Sequence, residues 1–435
     1  MSDSLHLPDI KRETMPRNEI SDPAAFLREL FDVAVARADP MTCLAENLGP
    51  KPKGRVVVLG AGKASARMAE AIETAWGPCE GFVITRYGYA RPCVGIEVVE
   101  AGHPVPDQAG VNATQRLLEI ASGLGAEDTC ILLISGGGSA LLCAPADGLT
   151  LADKQDLSSS MLASGMPIGD INRIRKELSS VKGGRLAASV FPATLRTLMI
   201  SDVPGDNPGD IASGPTVGHS GNAVEAIRTL ADWEVMPPAP IAQFLANGGD
   251  PLAVDDPRLE NVENIIVAAP AQSLKAAESV ARAAGAKVRN LGVALEGEAR
   301  QLAVAQAAIA VQIADGDLKQ PVLLLSGGEC TVTRRGNGIG GPNAEFVLAA
   351  AIALKGHPKI HVIACDTDGV DGADEVAGAI ANPTTLALAD AKGISAQEQL
   401  DDNNAHGFFD MIDSQVVTGP TMTNVNDFRA FLIMP

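Results

Sequence analysis

Apolar positions along the first half of this chain fall in short, nearly unbroken runs rather than in alternation. The runs are "RVVVLG" (55–60), "GFVITR" (81–86), "IEVVEAG" (96–102), "CILLISG" (130–136) and "LRTLMISD" (195–202). Each ends in glycine, aspartate or a turn, and helical stretches separate them. Continuous apolar strands alternating with helices predict a parallel sheet buried on both faces. One helix is expected over 23–47. A second α/β series follows: "ENIIVAAP" (263–270), a helix near 272–285, "KVRNLG" (287–292), a helix near 297–314, "PVLLLSGGECTVT" (321–333), a helix near 343–355 and "IHVIACDTDGVDG" (360–372).

Two stretches break the pattern. "VPGDNPGDIASGPTVGHS" (203–220) is polar and rich in Gly and Pro, so no regular element is expected there; loops of that length are often functional. The Pro-rich 234–257 reads as the connection between domains. A chain of 435 residues exceeds the reach of one core. The division is therefore set at 1–245 and 246–435. "LLISGGGSAL" (132–141) and "LLLSGGECTV" (323–332) echo each other across that division. Two strand ends facing one cleft explain the echo better than an ancestral duplication.

Composition narrows the function. The net charge is −19, which argues against nucleic acid or an anionic membrane as partner. It leaves a cleft free to concentrate the few cations. Seven cysteines without a CxxC pair read as buried free thiols in a reducing compartment. The polar first 20 residues do not resemble a secretion signal, and the longest uncharged run, 129–146, is broken by glycines and a proline. A soluble, cytoplasmic protein is expected.

The turns carry the candidate chemistry. "VVVLGAGKASARMAEAIE" (56–73) runs strand, glycine turn, helix. Gly60 and Gly62 open the turn and place the amides of 61–65 at a helix N-terminus, an anion site by geometry and dipole. Met68, Ile72 and Trp76 give that helix an apolar face. A dinucleotide fingerprint needs a third glycine, where Ser65 stands, and a ribose-binding acid, where the next strand ends in Arg86. Lys63 suits a phosphate that gains charge on transfer. "LLISGGGSALLCAP" ends a strand in Gly136, Gly137 and Gly138, with Ser135 and Ser139 as hydroxyls; consecutive glycines let main-chain N–H groups close on a phosphate.

"INRIRKELSSVKGGRLA" (171–187) concentrates base in an acidic chain. Arg175 and Lys176 share a helix face with Asn172, and Lys182 follows; together they read as an anion clamp. "SDVPGDNPGDIASGPT" and "CDTDGVDGADE" each put carboxylates just past an apolar strand. Asp202, Asp206, Asp210, Asp366 and Asp368 are candidate Mg²⁺ ligands. His103 sits between a strand end and two prolines. There is no defensible Ser-His-Asp spacing.

These stretches, with "GHPVPD" and "TGPTMTNVND", make the chain resemble the glycerate 2-kinases of bacteria and animals, the MOFRL family, from about residue 23 to the end. Many bacterial members carry the label hydroxypyruvate reductase. The resemblance implies two α/β domains, the first Rossmann-like, with the active site in the cleft between them. It implies ATP- and Mg²⁺-dependent phosphorylation of D-glycerate at the 2-hydroxyl. The family's essential lysine maps to Lys63. Its important arginine falls in a GxGGRN-type turn that here reads "GIGGPNAEF", with Pro342 in its place; Arg334 and Arg335 lie a few residues upstream. Partners are then a small acid, its carboxylate held by the clamp of Arg175, Lys176 and Lys182, and a nucleotide, with a homo-oligomer left open. The competing readings are an NAD(P)H-dependent hydroxypyruvate reductase, for which His103 is the available proton donor, and a non-catalytic sugar-acid sensor.

Overall fold

The computed structural model describes residues 20–248, 252–372 and 374–435. The apolar runs of the first half form one parallel sheet. Its strands are β1 (Val56–Ala61), β2 (Glu80–Arg86), β3 (Ile96–Ala101), β4 (Thr129–Ile134), β5 (Thr194–Ile200) and β6 (Val262–Ala268), in the order β3-β2-β1-β4-β5-β6. β1 and β4 are central and buried along nearly their whole length, which is why they read as unbroken apolar runs.

The second half contains β7 (Lys287–Gly292), β8 (Gly297–Glu298), β9 (Val322–Gly328), β10 (Cys330–Thr331), β11 (Ile360–Asp366), β12 (Gly378–Ala381), β13 (Gln415–Val416) and β14 (Asp427–Ile433). Six of them form a mixed sheet ordered β13-β12-β11-β14-β9-β7, and β8 pairs with β10 alongside. The C-terminal strand β14 lies antiparallel between β11 and β9. Both of its faces are covered, by the cores that contain Phe431 and Phe428.

Sheet membership does not follow the division at 245/246. β6 lies beyond it and still pairs with β5. The stretch 234–257 carries a helix, Ala239–Ala246, and returns the chain to the first sheet. The helix expected over 23–47 is two: Pro23–Ala38 and Pro40–Asn47. Asp39, preceding a proline, takes ψ 125°, and its carboxylate caps the second helix at Met41 N. The two helices serve different sheets. Phe26, Leu27, Leu30 and Phe31 join the core of Leu274, Phe428 and Leu432, whereas Cys43 and Leu44 join that of Met68 and Ile72. The loop 203–220 contains two short 3₁₀ turns, Pro204–Asp206 and Ile211–Ser213, where no regular element was expected. All seven cysteines are free.

Phe31 is fully buried, with its ring 5.9 Å from that of Phe428. Phe31→Ala should destabilise the protein by about 3–5 kcal/mol. Chemical denaturation should show the loss; a change under about 1 kcal/mol would mean that the first helix is not part of the second sheet's core.

Candidate functional site

Lys63 stands two residues past the end of β1, before the helix Ser65–Trp76. Gly62 bends the chain there with φ 142°, and a Cβ on it would run into the Ser135 hydroxyl. The turn is tightly wired. Gly62 N donates to Ile84 O, Lys63 N to Gly136 O, and Ser65 N to Gly62 O. Ala64 N donates to Ser135 Oγ at 3.0 Å. The amides of 62–65, expected to meet an anion, are therefore all engaged within the protein. Gly60 is a packing glycine, because a Cβ there would lie 2.7 Å from Leu133 O. Ser135 is wholly buried and holds the turn, so its expected contact with a phosphate is not available. This turn acts as a rigid mount for one side chain.

That side chain crosses to the second half of the molecule. Lys63 Nζ donates to Asp368 Oδ2 at 2.6 Å. Burial pulls the ammonium down, but Asp368, Asp366 and Asp202 outweigh it and leave the pKa raised. The carboxylates pay the opposite way. Asp202 is pushed up from its ordinary 3.8 to about 6, first by burial, with Lys63 opposing. Asp366 is driven well above the carboxylate range by burial and by Asp368 and Asp427. Glu329, just past β9, is raised by burial while Lys63 opposes.

The triple-glycine turn after β4 packs against this centre. A Cβ on Gly137 would lie 2.9 Å from His103 Cδ2 and 3.1 Å from Lys63 Cγ. One on Gly136 would collide with Asp202 and Asn424, and one on Gly138 would sit 2.6 Å from Ala212 Cβ. Gly137 has φ 79°. Unlike the first turn, this one leaves donors open: the amides of Gly136, Gly137 and Ser139 make no hydrogen bond among the described residues. Ser139 Oγ shares a hydrogen bond with Ser213 Oγ at 2.8 Å.

Beyond the turn opens a cavity of about 600 Å³, lined in part by His103, Gly137, Ser139, Lys154, Arg175 and Lys182. Lys182 is buried and donates to Ser139 O at 2.8 Å; burial drives its pKa well below the usual lysine value. Arg175, lowered by burial, makes no hydrogen bond or ion pair among the described residues. Lys154 Nζ is buried with no partner among the described residues, and burial lowers it too. His103 is lowered to about 4, by burial first and then by Lys63 and Arg86, so it is neutral at pH 7.

Three predicted residues fall elsewhere. Lys176 turns from the cavity toward Asp210, 3.7 Å away. Asp210 instead serves its own loop, accepting from Asn207 Nδ2. Asp206 borders a separate small cavity with Pro270 and Asn426. The loop leaves β5 at Asp202, turns outward through the exposed Pro204, Gly205 and Asn207 and buries residues 211–216; of its carboxylates only Asp202, at its base, reaches Lys63. Near Pro342, the buried Asp371 caps the helix Pro342–Leu354 by accepting from Asn343 N and Ala344 N. Arg334 folds back on the carbonyls of Gly336 and Gly338.

Sequence reasoning missed Lys154, Glu329 and Tyr89. Tyr89 is buried, its hydroxyl has no partner among the described residues, and its pKa is raised by burial and by Asp368. Only Glu329 carried a signal, as the acid in the echo of the glycine turn. Both echoes do end beside Lys63.

No three acids or histidines among the described residues form a metal-ligand group. Mg²⁺ commonly takes only one or two protein carboxylates and fills its shell with phosphate and water. One or two of Asp202, Asp366 and Asp368, all oxygen donors, would meet that demand. Asp206 and Asp210 do not belong with them.

Fold and site define a two-domain α/β protein whose cleft presents one lysine among carboxylates, next to a cation-lined cavity. The model described as "Domain of unknown function (DUF4147)" matches residues 26–246, and the MOFRL family model matches 322–427. A putative hydroxypyruvate reductase of Agrobacterium vitis is 45% identical over 94% of each chain. The D-glycerate 2-kinase of Thermotoga maritima is 36% identical over 93% of this chain and 97% of its own. The crystal structure of the glycerate kinase of that organism superposes with a TM-score of 0.84, at 35% identity, over 94% of this chain and 99% of that one. The chain belongs to this DUF4147–MOFRL family, which includes the glycerate 2-kinases. No described helix is long and apolar enough to cross a membrane.

Asp202→Asn tests the electrostatics of the centre. A carboxylate raised from 3.8 to about 6 destabilises the fold above pH 6, where it must ionise. The amide should stabilise the protein at pH 8 by up to about 3 kcal/mol. The gain should fade as pH falls through 6 and vanish below about 4, where the carboxyl is protonated in both states. Thermal unfolding across that range would refute the assignment if the gain did not depend on pH.

Proposed function

We propose that this protein transfers the γ-phosphoryl group of ATP to the 2-hydroxyl of D-glycerate. The observation that carries this is Lys63, held by Asp368 across the cleft, beside a glycine turn with three open amides. Relatives named glycerate kinases support the substrate. In the reaction the hydroxyl oxygen forms a bond to phosphorus and the bond to the β,γ-bridging oxygen breaks. The proton passes to a carboxylate facing Lys63, and ADP and 2-phosphoglycerate result. Such transfers run through loose transition states, so positioning and charge stabilisation carry most of the rate. The fixed ammonium of Lys63 meets the negative charge that grows on the leaving oxygens. The amides of Gly136, Gly137 and Ser139 hold the phosphate oxygens without reorganising. Mg²⁺, when bound through Asp202, Asp366 or Asp368, would neutralise phosphate charge.

Hydride transfer from a nicotinamide fits less well. The first turn has no free amide for a pyrophosphate. His103, neutral at pH 7, is a poor proton donor to a ketone. The test is direct. With D-glycerate and ATP·Mg²⁺, phosphorus NMR should show 2-phosphoglycerate. NADH consumption with hydroxypyruvate, without ATP turnover, would sink the kinase reading.

Lys63→Ala should still reach the native fold, since Met68 and Ile72 anchor its helix, at lower stability because the buried Asp368 loses its partner. It should lose about 10²–10³ in kcat while keeping most of its affinity for glycerate. Steady-state kinetics that leave kcat within about threefold of wild type would remove Lys63 from the chemistry.

A further inference from the structure

The cavity beside Lys63 is too large and too apolar at its edge for a three-carbon acid alone. We infer that it is the seat of the nucleoside triphosphate, with the base on an apolar lip formed by Val105, Leu162 and Ile168 and the phosphates on Lys154, Arg175 and Lys182. This rests on the kinase reading and assigns the basic cavity to one of its two anionic reactants.

Three observations converge. The first is size: about 600 Å³ lies in the range of pockets that bury a nucleotide-sized ligand. The second is charge. Among the described residues, Lys154 Nζ is buried without a partner, the Arg175 guanidinium has none, and Lys182 reaches only a carbonyl. Elsewhere in the chain many arginines are held by carboxylates, such as Arg55 by Glu80 and Arg300 by Glu345. Three cations left open on one cavity match a polyphosphate better than a single carboxylate. Glu329 also lines the cavity but pairs with none of them. The third is the lip. Val105, Leu162 and Ile168 are 62–63% exposed, and all three line this same cavity. Glycerate offers such residues nothing apolar; a nucleobase offers a flat face.

The floor of the cavity gives the ligand a direction. Gly137 and Ser139 lie on it, and Gly137 packs on Lys63. A triphosphate laid from the lip across the cations ends at the open amides, where its terminal phosphorus faces the lysine. Lys154 is then a binding residue that the sequence alone did not expose.

The experiment uses the full-length protein and two probes, ATP and inorganic tripolyphosphate, each titrated calorimetrically with Mg²⁺ present. Lys154→Gln should weaken both at least tenfold. Ile168→Asp and Leu162→Asp, at exposed positions that tolerate substitution, should weaken ATP and spare tripolyphosphate. In kinetics the same variants should raise KM for ATP and leave KM for glycerate within about twofold. If ATP binds every variant like wild type while KM for glycerate rises, the cavity holds the acid and this assignment falls, with the kinase reading intact. If the wild-type protein binds no ATP, both fall together.

Discussion

The contact between Lys63 and Asp368 ties the ends of two sheets into one site. It joins residues 305 positions apart at 2.6 Å, with the Asp368 side chain almost wholly buried. Burying such a pair costs desolvation that the attraction alone often fails to return. The fold offsets the cost with further donors: Val370 N binds Asp368 Oδ1, and Asp368 N binds Asp366 Oδ1. Neighbouring links reinforce it. Asn426 Nδ2 donates to Asp202 O, and Thr423 Oγ1 to Ala38 O, so the segment before β14 is stitched to the first half. Around one ammonium stand Asp202, Asp366, Asp368 and Glu329. Such a centre is short of positive charge, the condition that a divalent cation relieves.

The triple-glycine turn separates two fields of opposite sign. On one side lie the carboxylates around Lys63; on the other lie Lys154, Arg175 and Lys182. The turn must be thin to do this. Each of its three glycines has a neighbour where a Cβ would stand: Asp202 and Asn424, His103 and Lys63, and Ala212. Any side chain there would push the two fields apart. The glycines thus serve distance first and amide exposure second.

Much of this was legible in the sequence. The buried strands of the first sheet announced themselves because both faces are covered, and the glycine turns marked where they end. The same covering hid the direction of β14: "FRAFLI" is buried on both sides, Arg429 included, and nothing in such a run distinguishes parallel from antiparallel. The first turn was misread for a physical reason. A glycine pair before a helix predicts free amides, but Ser135, from a strand end 71 residues away, satisfies one of them. Lys154 was invisible because "LADKQDLSSS" looks like an ordinary solvated helix start; only its packing against the cavity strands the ammonium. Asp206 and Asp210 were overread, since carboxylates in a polar loop satisfy the spacing of a metal site and the needs of the loop equally well.

The unpartnered cations raise a question of cost that also bears on how the cavity works. A buried ammonium without a counter-ion is expensive, and proteins commonly meet that cost by letting the group lose its proton. Burial does lower Lys154 and Lys182, the latter well below the ordinary lysine value, and repulsion adds to it: Arg175 lowers both, and Lys154 lowers Lys182. The cavity can therefore hold less charge than its residues suggest. A polyanion entering it reverses the balance, because attraction to phosphate restores the charged form. Binding and proton uptake are then one event wherever the pH lies above the lowered pKa of the lysines. An acidic protein can in this way keep a strongly basic pocket without bearing its full electrostatic cost before the ligand arrives.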